Sequence, residues 1–240
     1  MITILSYNIH GPPWAPDHTA PIAHWSGSCK ADLLCFQEVF TTARQITLKN
    51  ILESYGYTVY YPYDMIDSVV YSGLCIALHN TSSWKMFSTR FTPFLEYNYW
   101  DSFANKGYYA ICLRHTTGKM VRILNTHMQS NWELPYLSGT SYTDHIRTKQ
   151  LEEMVKTYGT STLLTLIVGD LNQEGLIHPR VHNLCCKPEE GVITFPSTKH
   201  NVDHVSFLMG TGGIPILKNR HVESTLMWSD HSPLICKIEF

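Results

Sequence analysis

Two mixed β-sheets packed together and flanked by helices, an α/β arrangement, is the fold class the sequence predicts. Three observations carry it. Short strand-like runs outnumber the helical stretches, and the few substantial helices fall between strands instead of collecting at one end of the chain. Several strand runs are apolar on both faces and turn polar only at their C-terminal end, as strands buried within a sheet do. The 240 residues, 44% hydrophobic and 16% charged, also furnish a large core. No Pro/Gly/Ser linker, low-complexity tract or repeat interrupts them, so one domain spanning 1–240 is expected.

The first strand is read over Ile2–Tyr7 and closes on Asn8-Ile9-His10-Gly11, before a Pro12-Pro13 break. Residues 12–31 read as irregular or as a short helix. Ala31–Glu38 is a second buried strand, ending in a carboxylate. Thr41 or Thr42 caps a helix to about Tyr55, with Ile46, Leu48, Ile51 and Leu52 inward and Gly56 as its stop. Strands follow at Tyr57–Tyr61, Gly73–His79 and Trp84–Phe91. Gly107–Arg114 and Met120–Thr126 flank Thr116-Thr117-Gly118-Lys119, a hairpin signal. After a polar and aromatic loop over 128–142, Thr143 or Asp144 opens a helix to about Tyr158. Leu163–Val168 is a central buried strand. A loosely ordered 173–192 region, a strand at Val202–Leu208, a Gly-rich turn at 210–213 and strands near 214–227 and 233–239 complete the chain.

A formal net charge of −2 leaves no global basic footprint of the kind that holds nucleic acid by phosphate neutralisation, although a local basic patch is compatible with it. Met1 runs straight into a strand, so no signal peptide is read. No stretch is apolar for the ~20 residues a membrane span needs. The seven cysteines sit mostly in apolar runs (Cys35, Cys75, Cys112, Cys236), with Cys185 and Cys186 adjacent and no Cys-x-x-Cys. Free buried thiols, a reducing compartment and a cytoplasmic location are expected.

Chemistry enters at Val168-Gly169-Asp170-Leu171-Asn172, where the central strand ends in a carboxylate and a carboxamide two residues apart. Both point to one side if the extended backbone continues. An acid beside an amide suits a hard cation holding a phosphoryl oxygen. A turn using Asp and Asn for its own backbone explains this stretch equally well. Other strand ends and loops add partners: Asn8, Glu38, Asn125-Thr126-His127, Asp203 and Ser229-Asp230-His231. Of these, Asn8, Glu38 and Asp170 are expected at C-terminal strand ends, where loops converge on a pocket. Glu38 has no cheap structural explanation, because an unpaired carboxylate closing a buried strand is costly. Asp230 and His231 are adjacent and cannot face the same way in an extended segment, which divides their roles.

The order Tyr7-Asn8, Gln37-Glu38-Val39, Ser72-Gly73-Leu74, Asn125-Thr126-His127, Gly169-Asp170-Leu171-Asn172, Val202-Asp203-His204-Val205 and Ser229-Asp230-His231 resembles the endonuclease/exonuclease/phosphatase superfamily, the fold of pancreatic deoxyribonuclease. The resemblance covers essentially the whole chain. It implies a four-layer α/β sandwich and Mg²⁺-dependent cleavage of a phosphate ester; a monomer is expected, and Mn²⁺ as a substitute ion. On that resemblance Asn8, Glu38 and Asp230 hold the metal, and His231, oriented by Asp203, is the general base for water. His127 and Asn172 would then donate to the non-bridging oxygens. Asp170 either aligns the water or binds metal.

Asp101-Ser102-Phe103-Ala104-Asn105-Lys106-Gly107, followed by Asn125-Thr126-His127-Met128-Gln129-Ser130, is similar to the neutral sphingomyelinase branch, as are Asp32-Leu33-Leu34 and Ser72-Gly73-Leu74-Cys75. That similarity puts Lys106 near the substrate phosphate; an exposed lysine at a strand start is the structural alternative. Aromatic loops at 91–100 and at Trp132, Leu134, Tyr136, Leu137 and Tyr142 suit peripheral membrane contact, base stacking or simple core packing. The expected activity is a Mg²⁺-dependent phosphodiester hydrolase, sphingomyelinase-like, with a Mg²⁺-dependent nuclease or DNA-repair phosphodiesterase as the alternative. Its substrate is then a lipid headgroup or a nucleic acid. A catalytically silent binding module is the alternative from another class.

Overall fold

The computed structural model describes residues 1–62, 70–131, 140–174, 178–184, 193–197, 200–209 and 213–240. In chain order the elements are β1 (Ile2–Asn8), α1 (Thr19–Ser28), β2 (Leu33–Gln37), α2 (Thr42–Ser54), β3 (Tyr57–Tyr60), β4 (Cys75–His79), β5 (Trp84–Pro93), β6 (Gly107–His115), β7 (Met120–His127), α3 (Thr140–Tyr158), β8 (Thr165–Asp170), β9 (Val181–Asn183), β10 (Asp203–Leu208), β11 (Ile216–Val222) and β12 (Leu234–Glu239). A 3-10 turn over Tyr99–Phe103 precedes β6.

The strands form two six-stranded mixed sheets, ordered β11-β12-β1-β2-β4-β3 and β5-β6-β7-β8-β10-β9. Alternation along each strand decides what meets what. In β1, Ile2 and Ile4 face the second sheet, where they join Cys35, Ile76, Ile111, Ile123, Leu166, Val168 and Val205 in the core between sheets. Leu5 and Tyr7 face the other way, into the cluster that takes Ile22 and Ala23 of α1 and Leu48 and Leu52 of α2. On the far side, Leu151, Met154 and Val155 of α3 cover Ala110, Leu124 and Ile167. The result is the expected four-layer sandwich, helices outside and two sheets within.

Each sheet contains one parallel pair, β1 with β2 and β7 with β8. The connections run through α1 and α3, the crossover that a parallel pair requires. Parallel pairing aligns C-terminal ends, so Asn8 lies beside Gln37 and His127 beside Asp170. Strand β10 runs antiparallel to β8, and its first residue, Asp203, pairs with Asp170. Asp203 therefore reaches the common end from the start of its strand, whereas Asn8, His127 and Asp170 reach it from C-terminal ends.

Several boundaries differ from the sequence reading. Helix α2 is capped by the Thr41 side chain, which accepts from the Arg44 backbone N–H. Its buried stripe is narrower than expected: Leu48 and Leu52 are buried, but Ile46 is 53% exposed. Helix α3 begins at Thr140, and Thr143, expected as a cap, lies inside it, with its hydroxyl bonded to Asn131 and Arg147. The region expected to be loose contains β9, a three-residue edge strand paired with β10. Cys236 is disulfide-bonded, against the expectation of free thiols, while Cys29, Cys35, Cys75 and Cys112 are free. No helix among the described residues is long and apolar enough to cross a membrane.

Candidate active site

The alternation that builds the core between the sheets also delivers the site. Continuing the inward-facing positions past the apolar ones gives Ser6 and Asn8 in β1, Gln37 in β2, Asn125 and His127 in β7, Asp170 in β8 and Asp203 in β10. Where the two sheets face each other at one end, an apolar core thus becomes polar.

Its floor is a pair that the sequence reading left without a role. Gln37 Nε2 donates to Asn125 Oδ1 at 2.7 Å, and Asn125 Nδ2 donates to the Phe36 and Cys75 carbonyls, each at 3.0 Å. Both side chains are fully buried and join one sheet to the other. Their legible signal was parity: each is a polar residue at a position where alternation demands an inward side chain.

Above this floor Asn8 Nδ2 donates to Glu38 Oε1 at 3.0 Å and to Asp170 Oδ2 at 2.9 Å, and lies 3.5 Å from His231 Nε2. Asn8 Oδ1 accepts from the His10 backbone N–H at 3.0 Å. Glu38 turns back toward the site through a left-handed backbone, φ 65°, just after β2. Its Oε2 accepts the Gly11 N–H at 3.1 Å. A side chain at residue 11 would put Cβ only 1.8 Å from the Glu38 carbonyl oxygen, so this approach needs glycine. Gly169 is equally constrained, with φ 134° and a Cβ position 2.0 Å from the Thr126 carbonyl oxygen. Glycine there lets β8 lie against β7 where Asp170 must emerge.

His231 Nδ1 sits 2.8 Å from Asp203 Oδ2, and its Nε2 lies 3.6 Å from Asp170 Oδ2. Burial works against protonation of this imidazole, but Asp203, Asp170 and Asp230 outweigh it and raise the pKa to about 10. Burial pushes the Asp170 carboxyl up to about 7. Asp230 stands apart from this trio: its Oδ2 is 3.0 Å from His10 Nδ1, and its Oδ1 is 3.9 Å from His231 Nε2. Despite its burial the Asp230 carboxyl is held below its ordinary range by the His10 bond and by His231.

His127 Nε2 is 3.6 Å from Asp170 Oδ2, 3.9 Å from Glu38 Oε1 and 3.3 Å from Lys106 Nζ. Burial, then Lys106 and His231, drive its pKa well below the ordinary histidine value, so the ring is neutral. Lys106 is not an exposed strand-start lysine. It is 3% exposed, and its ammonium donates to the Met128 carbonyl at 2.9 Å and pairs with Asp101 at 3.0 Å.

Asn172 departs from the expected extended geometry. Its φ is 51°, its N–H donates to Asp170 Oδ1 at 2.8 Å, and its Nδ2 donates to the Met128 carbonyl at 3.2 Å. The chain turns at once after Asp170, so the extended backbone on which a shared side depends is not continued. The Asp-x-Asn stretch is both a local turn and a part of the site. Of the aromatic loops, Trp132, Leu134, Tyr136 and Leu137 lie outside the described residues, while Leu95, Tyr97 and Tyr142 are exposed.

The donor chemistry fits a hard divalent cation. Glu38, Asp170 and Asp230 supply carboxylate oxygens in a partly buried place, and Asn8 adds an amide whose Nδ2 faces Glu38 and Asp170 and whose Oδ1 accepts from the His10 N–H. Asp170, Asp203 and His231 also offer ligand atoms all within 4.8 Å of one another. Within that trio His231 Nδ1 is engaged by Asp203 Oδ2 at 2.8 Å, which leaves Nε2 turned toward Asp170.

No protein-family model and no curated protein sequence matches the chain. Solved structures do. Sphingomyelinase C from Streptomyces griseocarneus superposes with a TM-score of 0.69 at 16% identity, covering 98% of each chain. TDP2 from D. rerio, complexed with a single-strand DNA product, gives 0.74 at 14% identity, covering 100% of this chain and 99% of its own. An endonuclease/exonuclease/phosphatase from Beutenbergia cavernae gives 0.73 at 14% identity, covering 100% of this chain and 71% of its own. At such identities the likeness establishes the fold.

Proposed function

We propose that this chain, which has the fold of the endonuclease/exonuclease/phosphatase superfamily, is a divalent-metal-dependent phosphodiesterase working as a single domain over 1–240. The observation that carries the reading is the convergence of Asn8, Glu38, His127, Asp170, Asp203 and His231, from both sheets, on one largely buried end of the sandwich. A fully buried Asp170 among two histidines and a second acid is expensive unless chemistry repays it.

Glu38, Asp230 and Asn8 would hold Mg²⁺, or Mn²⁺ in its place, with Asp170 beside them; bound there, the ion offsets negative charge on the phosphoryl group. His231 accepts the proton of the attacking water at Nε2, while Asp203 fixes the ring through Nδ1. Because the carboxylates hold a proton on His231 up to about pH 10, that role requires positive charge beside them first. Neutral His127 and Asn172 are the hydrogen-bond partners we assign to the non-bridging oxygens, with the Lys106 ammonium behind His127. Water adds to phosphorus, the bond to the leaving alcohol breaks, and a phosphomonoester and an alcohol result.

For the substrate we favour a lipid headgroup phosphodiester. Leu95 follows β5, Trp14 follows β1 and Met227 precedes Asp230, all on segments at the site end of the sheets. They are 83%, 80% and 90% exposed, an apolar rim that suits a bilayer surface better than phosphate contacts. The full-length likeness to TDP2 with bound DNA product favours a second reading, a nucleic-acid phosphodiester. Sphingomyelin vesicles, single-stranded and abasic DNA, bis-p-nitrophenyl phosphate and inositol phosphates, each with Mg²⁺ and with EDTA, test both. Hydrolysis of sphingomyelin alone among the natural esters supports the lipid reading, and hydrolysis of DNA alone replaces it. No turnover of any of them sinks the enzyme reading.

A further inference from the structure

We propose that His10 is a positioning residue that holds the Asp230 carboxylate in the metal-facing set, an inference that rests on the metal-dependent reading of this site. Asp230 differs from the other acids in its support. Asp170 ends β8 and Asp203 begins β10, so strand register fixes them, whereas Asp230 lies on the connection between β11 and β12. Its Ser229 and His231 contacts are long, at 3.4 and 3.9 Å. The short contact is His10 Nδ1 on Oδ2 at 3.0 Å. His10 thus holds Oδ2, and Oδ1, with only the two long contacts, is the oxygen turned to a cation.

The backbone of this segment is built for the same purpose. His10 has φ 50°, a conformation a non-glycine residue seldom takes, and of the four non-glycine residues with positive φ among the described residues, His10, Glu38 and Asn172 belong to the site. In that conformation the His10 N–H reaches Asn8 Oδ1 and the next N–H, from Gly11, reaches Glu38 Oε2. One four-residue turn therefore fixes all three groups assigned to the metal: Asn8 through a main-chain bond, Glu38 through another, and Asp230 through the imidazole. The ring itself is 39% exposed, so packing does not explain it. Hydrogen-bond partners of ligands tune metal affinity by orienting those ligands.

Replacing His10 three ways separates positioning from folding. His10→Gly removes the ring and relieves the left-handed backbone. His10→Ala removes the ring and keeps the strain. His10→Asn tolerates the backbone and places an amide N–H near the position of Nδ1. Mn²⁺ affinity, measured by calorimetry or by the spin resonance of free Mn²⁺, is the readout, with thermal unfolding of the metal-free proteins beside it. Wild-type protein should bind Mn²⁺, His10→Gly and His10→Ala should bind roughly 10–100-fold more weakly, and His10→Asn should recover most of the loss. His10→Gly should unfold at or near the wild-type temperature. Wild-type affinity in His10→Gly overturns the role of His10 alone. Weakened binding that His10→Asn fails to recover also overturns it, as does a loss that merely follows unfolding. A wild-type protein that takes up no Mn²⁺ overturns the metal reading and this inference together.

Discussion

Nδ1 of His231, on the loop entering β12 of one sheet, lies 2.8 Å from Oδ2 of Asp203, the first residue of β10 in the other sheet. The ring's orientation is thus set by how the two sheets pack, and Nε2 is left pointing at Asn8 and Asp170.

Asp203→Asn should leave the fold intact and lower kcat by about 10²–10⁴-fold, because the amide no longer compels a proton on Nδ1. His231→Ala should do at least as much. Both should bind Mg²⁺ nearly as tightly as wild type, since neither residue is assigned to the ion. Steady-state kinetics with calorimetric Mg²⁺ titration checks this; activity retained, or metal binding lost, would contradict the division of roles between Asp230 and His231.

The protonation of His231 makes a second prediction. In metal-free protein its raised pKa means that the ring is charged at neutral pH, and the proton should leave only as pH climbs toward about 10. The stability this charge contributes is fully present below the unfolded value near 6.5 and is lost as pH rises through the folded value. Added Mg²⁺ should move the titration to lower pH by offsetting the surrounding carboxylates. Nuclear magnetic resonance of the imidazole, assigned with His231→Gln, reads this directly. An ordinary midpoint in the metal-free protein would show that the carboxylates do not govern the ring.

Asn125→Ala tests the floor of the site. It strips Gln37 Nε2 of its 2.7 Å acceptor and leaves the Phe36 and Cys75 carbonyls without their donor. Unpaired buried groups cost about 1–3 kcal/mol each. A loss of about 3 kcal/mol, or a fall in Tm of roughly 6–12 °C, is expected. A Tm within a degree of wild type would mean that water or repacking replaces the pair.

Much of the fold was legible because local rules and tertiary demands agree. Thr41 and Gly56 bracket α2, and the apolar run before Asp170 is β8. The three-residue β9 escaped because an edge strand that short has no period to read. Ile46 faces out because it lies two residues from Leu48, roughly 200° around the helix, and its apolar character alone does not turn it inward. In the site, the acids and histidines were legible as residue types at strand ends. Their contacts were not. The left-handed turns at His10, Glu38 and Asn172 redirect side chains against the extended expectation. The burial of Lys106 against Asp101, and the Gln37–Asn125 bond, depend on distances between segments that no local pattern encodes.

The choice of substrate can be read from salt dependence. A lipid surface held by apolar tips such as Leu95 and Trp14 should bind almost independently of salt, each buried large side chain contributing on the order of 1–3 kcal/mol. Nucleic acid held through phosphates should be released steeply as salt rises. Metal-free protein, sphingomyelin vesicles and a DNA duplex, each at low and moderate salt, distinguish the two. Salt-sensitive DNA binding without vesicle association would replace the lipid reading with the nuclease.

The central claim is that Glu38 and its neighbours hold the ion on which hydrolysis depends. Its most direct measurement is the rate of bis-p-nitrophenyl phosphate hydrolysis as Mg²⁺ is titrated into EDTA-stripped wild type and Glu38→Gln. Wild type should be inactive without the ion and regain activity along a saturable curve. Glu38→Gln, folded as wild type, should need far more Mg²⁺ and turn over about 10²-fold or more slowly. A stripped wild type that still hydrolyses the ester, or a variant whose Mg²⁺ curve and rate match wild type, would contradict the account.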